Sequence, residues 1–241
     1  MCTLVILRRP GHDWPLIIAA NRDEMATRPW RRPGRHWEDR VEVVAGQDET
    51  AGGTWLGLND WGVIAGVLNR PGSLGPDPAL RSRGELPLEA LDHAEAIEAA
   101  KALSALDATS YRTFNLVIAD AIGAYWLSSD GESVRSAPIP EGISMITAHD
   151  LNDTRSPRIA RFLPLFEAAA TPDPENSDWA AWQTLMGSGG EDAMSFKTDS
   201  GFATVSSSLL ALADPLKPGV KPVWLFAPGA PDQTAYDGVE L

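Results

Sequence analysis

The sequence predicts an α+β layered sandwich in a single domain spanning 1–241. Short apolar, β-branched runs come in groups, and stretches of helical periodicity separate those groups. No glycine-rich phosphate loop leads a strand into a helix, so a Rossmann or P-loop fold has no anchor. No repeat or long linker divides the chain.

The first 70 residues read as strands and tight turns. Cys2 to Leu7 (CTLVIL) is apolar and β-branched, and stops at the turn cluster RRPGHDWP. Leu16 to Asn21 (LIIAAN) follows, and the pair predicts a hairpin that returns position 21 beside position 2. Val41 to Ala45 is a third strand, whereas Arg28 to Arg40 reads as a solvated loop. Thr54 to Leu58 and Trp61 to Leu68 flank an Asn59-Asp60 turn, and a Pro/Gly-rich loop occupies Arg70 to Pro78. Leu86 to Leu106 has apolar residues at three- and four-residue intervals, acids early and Lys101 late, which predicts one helix. Phe114 to Ala119 and Ala124 to Leu127 form another hairpin, and Ile143 to Thr147 a short strand. Arg158 to Ala170 is a helix, capped by Thr154 or Ser156. Trp179 to Met186 is a second helix and Glu191 to Gly201 a loop. Strand character resumes at Ala203 to Ala213 and Val223 to Phe226.

Composition excludes several function classes. The 33 acidic residues outnumber 20 basic ones, a net charge of -13. That disfavours nucleic acid or an anionic membrane as a partner, since phosphate contacts need clustered Lys and Arg. The basic patch at Arg28 to Arg40 also holds Glu38 and Asp39. A single cysteine cannot form an internal disulfide, and the four scattered histidines have no metal spacing. No apolar run reaches the roughly 20 residues of a membrane helix. The start of the chain does not read as a signal peptide, so a reducing, cytoplasmic location is the default expectation.

The lone cysteine stands at position 2. A thiol is a good nucleophile only as thiolate, so it needs a base or a lowered pKa. Trimming of Met1 makes Cys2 the first residue, with an α-amine of reference pKa about 7.7–8.0 beside its own thiol. One residue then carries both nucleophile and base. Asn21-Arg22-Asp23-Glu24 ends the second strand near it. Strand alternation puts Asn21 and Asp23 on one face and Arg22 and Glu24 on the other. A carboxylate beside the amine is suited to orienting it, the natural role for Asp23. Asn69 ends the strand WGVIAGVLN. Its side-chain amide suits an oxyanion donor, though asparagine there also suits the Arg70-Pro71-Gly72 turn.

These features resemble a known family. Met-Cys-Thr at the start, the Asn-Arg-Asp-Glu tetrad, and GGTWLGLNDWGVIAGVLNR (Gly52 to Arg70) are similar to the NRDE proteins, also called the transport and Golgi organization family. Ser82-Arg83-Gly84, Phe114-Asn115-Leu116 and Ser156-Pro157-Arg158 add to the likeness. A more distant resemblance runs to the cysteine N-terminal-nucleophile (Ntn) hydrolases that cleave bile-salt amides and penicillin V. It implies a four-layer αββα sandwich with antiparallel sheets and C–N bond hydrolysis through a thioester. It maps a nucleophile onto Cys2, an amine-positioning aspartate onto Asp23 and an oxyanion asparagine onto Asn69. Asn21, Arg22, Glu24 and His149 are the supporting candidates. The chain departs from that pattern at Ala20, where those hydrolases have arginine, and at Val205, where some NRDE relatives do; a second asparagine falls near Ala148, with Asn152 beyond.

Two readings follow. One is a cysteine Ntn amidohydrolase acting on a small amide or N-acyl compound, with no cofactor. The other is a non-catalytic binding or trafficking protein whose pocket takes a lipid, acyl-CoA or haem. Haem has the least support, because no histidine is placed by any motif.

Overall fold

The computed structural model describes residues 2–75, 77–217 and 219–241. The chain divides into two compact units. One is built from the segment up to Thr27 together with Pro140–Glu240, the other from Arg28–Ile139 with Leu241.

The first unit opens with β1 (Thr3–Arg8) and β2 (Leu16–Met25). The second supplies β3 (Trp30–Gly34), β4 (Val43–Asp48), β5 (Leu56–Asn59) and β6 (Ile64–Asn69). It continues with α1 (Glu85–Leu91), α2 (Ala96–Ser104), β7 (Phe114–Ala119), β8 (Ala124–Ser129) and β9 (Val134–Pro138). The chain then returns to the first unit through β10 (Gly142–Ile146), α3 (Pro157–Ala168) and α4 (Ala180–Met186). β11 (Phe202–Leu212), β12 (Val223–Ala227) and β13 (Asp237–Gly238) complete it. Each unit holds one antiparallel sheet. The first is ordered β10-β1-β2-β11-β12-β13, and the second runs β3 to β9 in chain order. Among the described residues, two antiparallel sheets and four α-helices realise the α+β class that the strand and helix groups predict.

In the first unit, α3 and α4 cover one face of the sheet. Val5, Leu7, Ile17, Ala19, Leu209 and Ala211 point into that layer, against Ile159, Phe162, Phe166 and Trp182. Trp182 is fully buried and meets Phe166 edge to face at 5.3 Å. Alternation carries the same face along the ladder to Thr3, Asn21 and Asp23. In the second unit, α1 and α2 cover a sheet face formed by Ala65, Phe114, Leu116 and Ile118. Gly53 lies so close to Gly84 that a Cβ on it would stand 2.5 Å from a backbone atom.

The structure corrects two expectations and adds a strand, β9, that the sequence reading does not mention. The helix expected over Leu86 to Leu106 is two helices. The Asn59 amide takes the carbonyls of Leu91 and His93 at 2.9 and 2.8 Å, and Asp120 accepts from the Ala96 N–H at 2.8 Å. Long-range side chains thus cap a break that local periodicity does not reveal. The loop expected at Arg28 to Arg40 contains β3, and four of its five arginines pair with carboxylates of the same unit: Arg28 with Asp48, Arg31 with Glu49, Arg35 with Asp60 and Arg40 with Asp92. β9 is a polar, proline-bearing edge strand, whose side chains lack the apolar alternation that marks a buried strand.

Candidate functional site

Cys2 directly precedes β1, beside the end of β2. It is half-buried. Its Sγ is bracketed by the main chain of Asp23, whose N–H donates to the sulfur at 3.3 Å and whose carbonyl accepts from it at 3.5 Å. Burial, and then the Asp23 carboxylate, push the thiol above its ordinary value; the Arg22 guanidinium pulls the other way. A protonated thiol results, which needs a base before it can attack.

The Asp23 carboxylate turns towards the helical layer. Oδ1 accepts from the Thr204 hydroxyl at 2.7 Å, and Oδ2 from Arg158 Nη1 at 3.2 Å. The same Nη1 donates to Thr3 Oγ1 at 2.8 Å, and the guanidinium stacks on Phe196, 5.5 Å from the ring centre. The Asp23 side chain is fully shielded from solvent and that of Arg158 is 14% exposed. Register explains the meeting. Thr204 lies opposite Asp23 on β11, and a bulge at Val205 brings Ser206 opposite Arg22. Arg158 comes from the first turn of α3, where Ser156 is the N-cap and Pro157 the first helical residue. A cation at that position opposes the helix dipole. The Asp23 carboxylate supplies the compensating charge.

The other sequence candidates take distinct places. Asn21 is buried and donates from Nδ2 to the carbonyls of Met186 at 3.0 Å and Met194 at 2.9 Å, pinning the segment between α4 and β11. Arg22 is buried on the opposite face of β2 from Asp23. Glu24 accepts from the Met25 N–H at 2.8 Å. His149 is half-buried in the loop after β10. There Asp153 is held down to about 2, first by hydrogen bonds from Arg155 and last by the charge of His149. Asn152, at φ 57, accepts from the Met145 N–H at 2.7 Å and so ties that loop back to β10. The expected removal of Met1 lies outside the described residues.

Asn69 belongs to the second unit, where it ends β6 opposite Phe114. The neighbouring motifs gather around the turn that follows it. Arg70 donates to Asn115 Oδ1 at 2.7 Å, and Trp126 Nε1 to the same oxygen at 3.1 Å. Arg83 Nη1 reaches the carbonyls of Ser73 and Thr113 at 2.7 and 3.1 Å. Among the described residues, no group of three His, Cys, Asp or Glu side chains gathers as a metal site, and no helix is long and apolar enough to cross a membrane.

Sequence reasoning missed Thr3, Thr204 and the role of Arg158. Ser156-Pro157-Arg158 carried a signal, since a helix-initiating Ser-Pro followed by a first-turn arginine calls for an anionic partner. Thr204 gave none, because the Val205 bulge that sets its register is a tertiary feature.

Comparisons with known proteins place this geometry. Over most of its length the chain superposes on an N-acylethanolamine-hydrolyzing acid amidase orthologue of Caenorhabditis elegans. The TM-score is 0.61 at 13% identity, covering 89% of this chain and 94% of that one. It also superposes on the penicillin V acylase of Agrobacterium tumefaciens, with a TM-score of 0.58, 16% identity, and 94% and 83% coverage. A variant of the conjugated bile acid hydrolase of Clostridium perfringens gives 0.55 at 10% identity, with 100% and 97% coverage. These likenesses establish an Ntn-hydrolase-like fold. In sequence, 142 residues are 35% identical to the Transport and Golgi organization protein 2 homolog of Bos taurus, 54% of this chain and 50% of that protein. The human homolog is 36% identical over 111 residues, 44% of this chain and 38% of the relative. The matched stretch thus spans half or less of these curated relatives. The family profile described as Transport and Golgi organisation 2 matches residues 1–210, and the chain belongs to that family.

Proposed function

We propose that the chain is a cysteine Ntn amidohydrolase that cleaves a small amide or N-acyl compound. The observation that carries this reading is the thiol of Cys2 held against the Asp23 backbone, with the Asp23 carboxylate fixed by Arg158 and Thr204. Once Met1 is removed, the α-amine of Cys2 accepts the thiol proton, and the thiolate adds to the amide carbonyl. The tetrahedral intermediate collapses as the ammonium returns the proton to the leaving amine, which breaks the C–N bond and leaves a thioester. Water, deprotonated by the same amine, then releases the acid. Asp23 orients the amine, and Arg158 offsets its charge. On the strength of the family resemblance, Asn69 is the oxyanion donor. The three solved structures named above support the reading through their fold, and two are described as an acid amidase and an acylase.

Hydrolysis of an N-acyl amine and amide panel tests the reading, read together with intact mass. Active protein lacks Met1, Cys2→Ala abolishes turnover, and Asn69→Ala slows it by ~10²–10³. A retained Met1 on active protein sinks the mechanism.

A second reading is binding or trafficking of a lipid or acyl-CoA without turnover. The raised thiol pKa and the family's transport description favour it. Ligand binding that survives Cys2→Ala, with no hydrolysis by the parent protein, selects it.

A further inference from the structure

The face of the first sheet turned away from α3 and α4 carries a polar row that the scheme above leaves unused. The ladder pairs Thr3 with Asn21, and Arg22 with Ser206. Thr3, Asn21 and Asp23 all bond towards the helical layer. Alternation therefore turns Cys2, Arg22 and Ser206 to the opposite face. There they form a row across neighbouring strands, spaced about 5 Å apart. In the next row Leu4, Ala20 and Ser208 stand abreast. Arg22 is 5% exposed, Ser206 1% and Ser208 2%. Neither serine hydroxyl has a hydrogen-bond partner among the described residues, although neighbouring Ser207 bonds both Ala20 and Tyr236. A hydroxyl with no protein partner is completed by water or by a ligand.

We infer that Arg22, Ser206 and Ser208 form a subsite for a carboxylate on the molecule that reacts at Cys2. A guanidinium presents a planar fork of donors to a carboxylate, and flanking hydroxyls satisfy its remaining lone pairs. The subsite lies one strand from the sulfur, so the carboxylate sits within a few bonds of the attacked carbonyl. The inference rests on Cys2 as the reacting group, the reading proposed above, and adds the substrate class.

Alkylation of Cys2 in the full chain, followed by mass spectrometry, tests the subsite without requiring turnover. Anionic iodoacetate should label Cys2 faster than neutral iodoacetamide, with saturation. Arg22→Gln should lower that rate ratio by roughly tenfold or more, the effect expected of a charge-assisted hydrogen bond, while Arg22→Lys restores part of it. Ser206→Ala, which keeps the buried charge, should lower the ratio about threefold and covers the case where Arg22→Gln fails to fold. A ratio unchanged in folded Arg22→Gln, or in Ser206→Ala, overturns the subsite. Paired substrates locate the carboxylate. An N-acyl amino acid against its decarboxylated analogue puts it on the leaving side, and a dicarboxylic monoamide against its acyl counterpart puts it on the acyl side. The pair whose preference collapses in Arg22→Gln identifies the side. Hydrolysis with no preference in either pair also overturns the subsite. A labelling ratio that responds as expected, with no hydrolysis of any pair, overturns the amidohydrolase reading and leaves the subsite standing.

Discussion

The two faces of β2 handle polar groups in opposite ways. Towards α3 and α4, Asn21 and Asp23 bond with groups from α3, α4, β11 and the segment between α4 and β11. On the other face the Cys2 thiol, a buried guanidinium and two unpaired serine hydroxyls stand in rows. The first arrangement is how a protein stabilises buried charge, and the second leaves two hydroxyls that a ligand could bond. Substitutions on the helical side should therefore cost stability, at Asp23 together with chemistry, and substitutions on the thiol side should cost chemistry alone.

The largest stability effect is expected at Asp23. Asp23→Ala leaves Arg158 beside Thr3 with its compensating anion gone, a loss of about 3–5 kcal/mol in urea unfolding. Adding Arg158→Met should recover part of it. If Asp23→Ala alone costs less than 1 kcal/mol, the helical side is not the structural side. Asn21→Ala comes next, on the order of 2–4 kcal/mol, because two buried carbonyls lose a donor together. Thr204→Val should cost about 1.5–3 kcal/mol, one hydroxyl bond to a carboxylate. That value is to be read beside Asp23→Ala in a double-mutant cycle, where additivity between these touching residues would count against a shared network.

How much of this contrast the sequence discloses depends on the range of its causes. Alternation within one strand is local, so the opposition of Asn21 and Asp23 to Arg22 is legible from the tetrad itself. The hairpin that sets Cys2 beside β2 is legible too, since two apolar runs flank a short turn. Strand pairing across 180 residues is not. Without the β2–β11 register neither Thr204 nor Ser206 can be assigned a neighbour, and the Val205 bulge shifts that register by one. Sequence reasoning gives the Asp23 carboxylate to the Cys2 amine and offers no signal for the Asp23 main chain, which is what the thiol meets. The split of the helix expected over Leu86 to Leu106 has the same origin, because Asn59 and Asp120 cap it from outside the segment.

On the thiol side, pH provides a probe. Burial and the Asp23 charge raise the Cys2 thiol, so iodoacetamide labelling should keep accelerating at pH values where a free thiol has levelled off. Arg22→Gln should push that rise to still higher pH, since it removes the opposing cation. The stability linkage has a definite sign. A folded pKa above the unfolded one means that the unfolded chain loses its proton first. The contribution is thus complete below the unfolded thiol pKa and is lost as pH climbs through the folded one. In Cys2→Ser this alkaline loss should disappear, and a curve that overlays the parent's through that range would show that the thiol titrates alike in both states.

The smallest effect is expected at Ser208, where it is the most informative. On the helical side a hydroxyl such as that of Thr204 is stabilising, because it completes a charge. Ser208 has the same kind of group with no protein partner, so Ser208→Ala breaks no bond within the chain and adds nothing that needs solvation. Unfolding free energy should stay within about 0.5 kcal/mol of the parent or rise slightly. A loss above 1 kcal/mol would mean that the hydroxyl supports the fold, and the division between the faces would fail at that point. Stability held near the parent value, together with a fall in the iodoacetate preference, would place the function of this hydroxyl outside the folded chain, in a ligand.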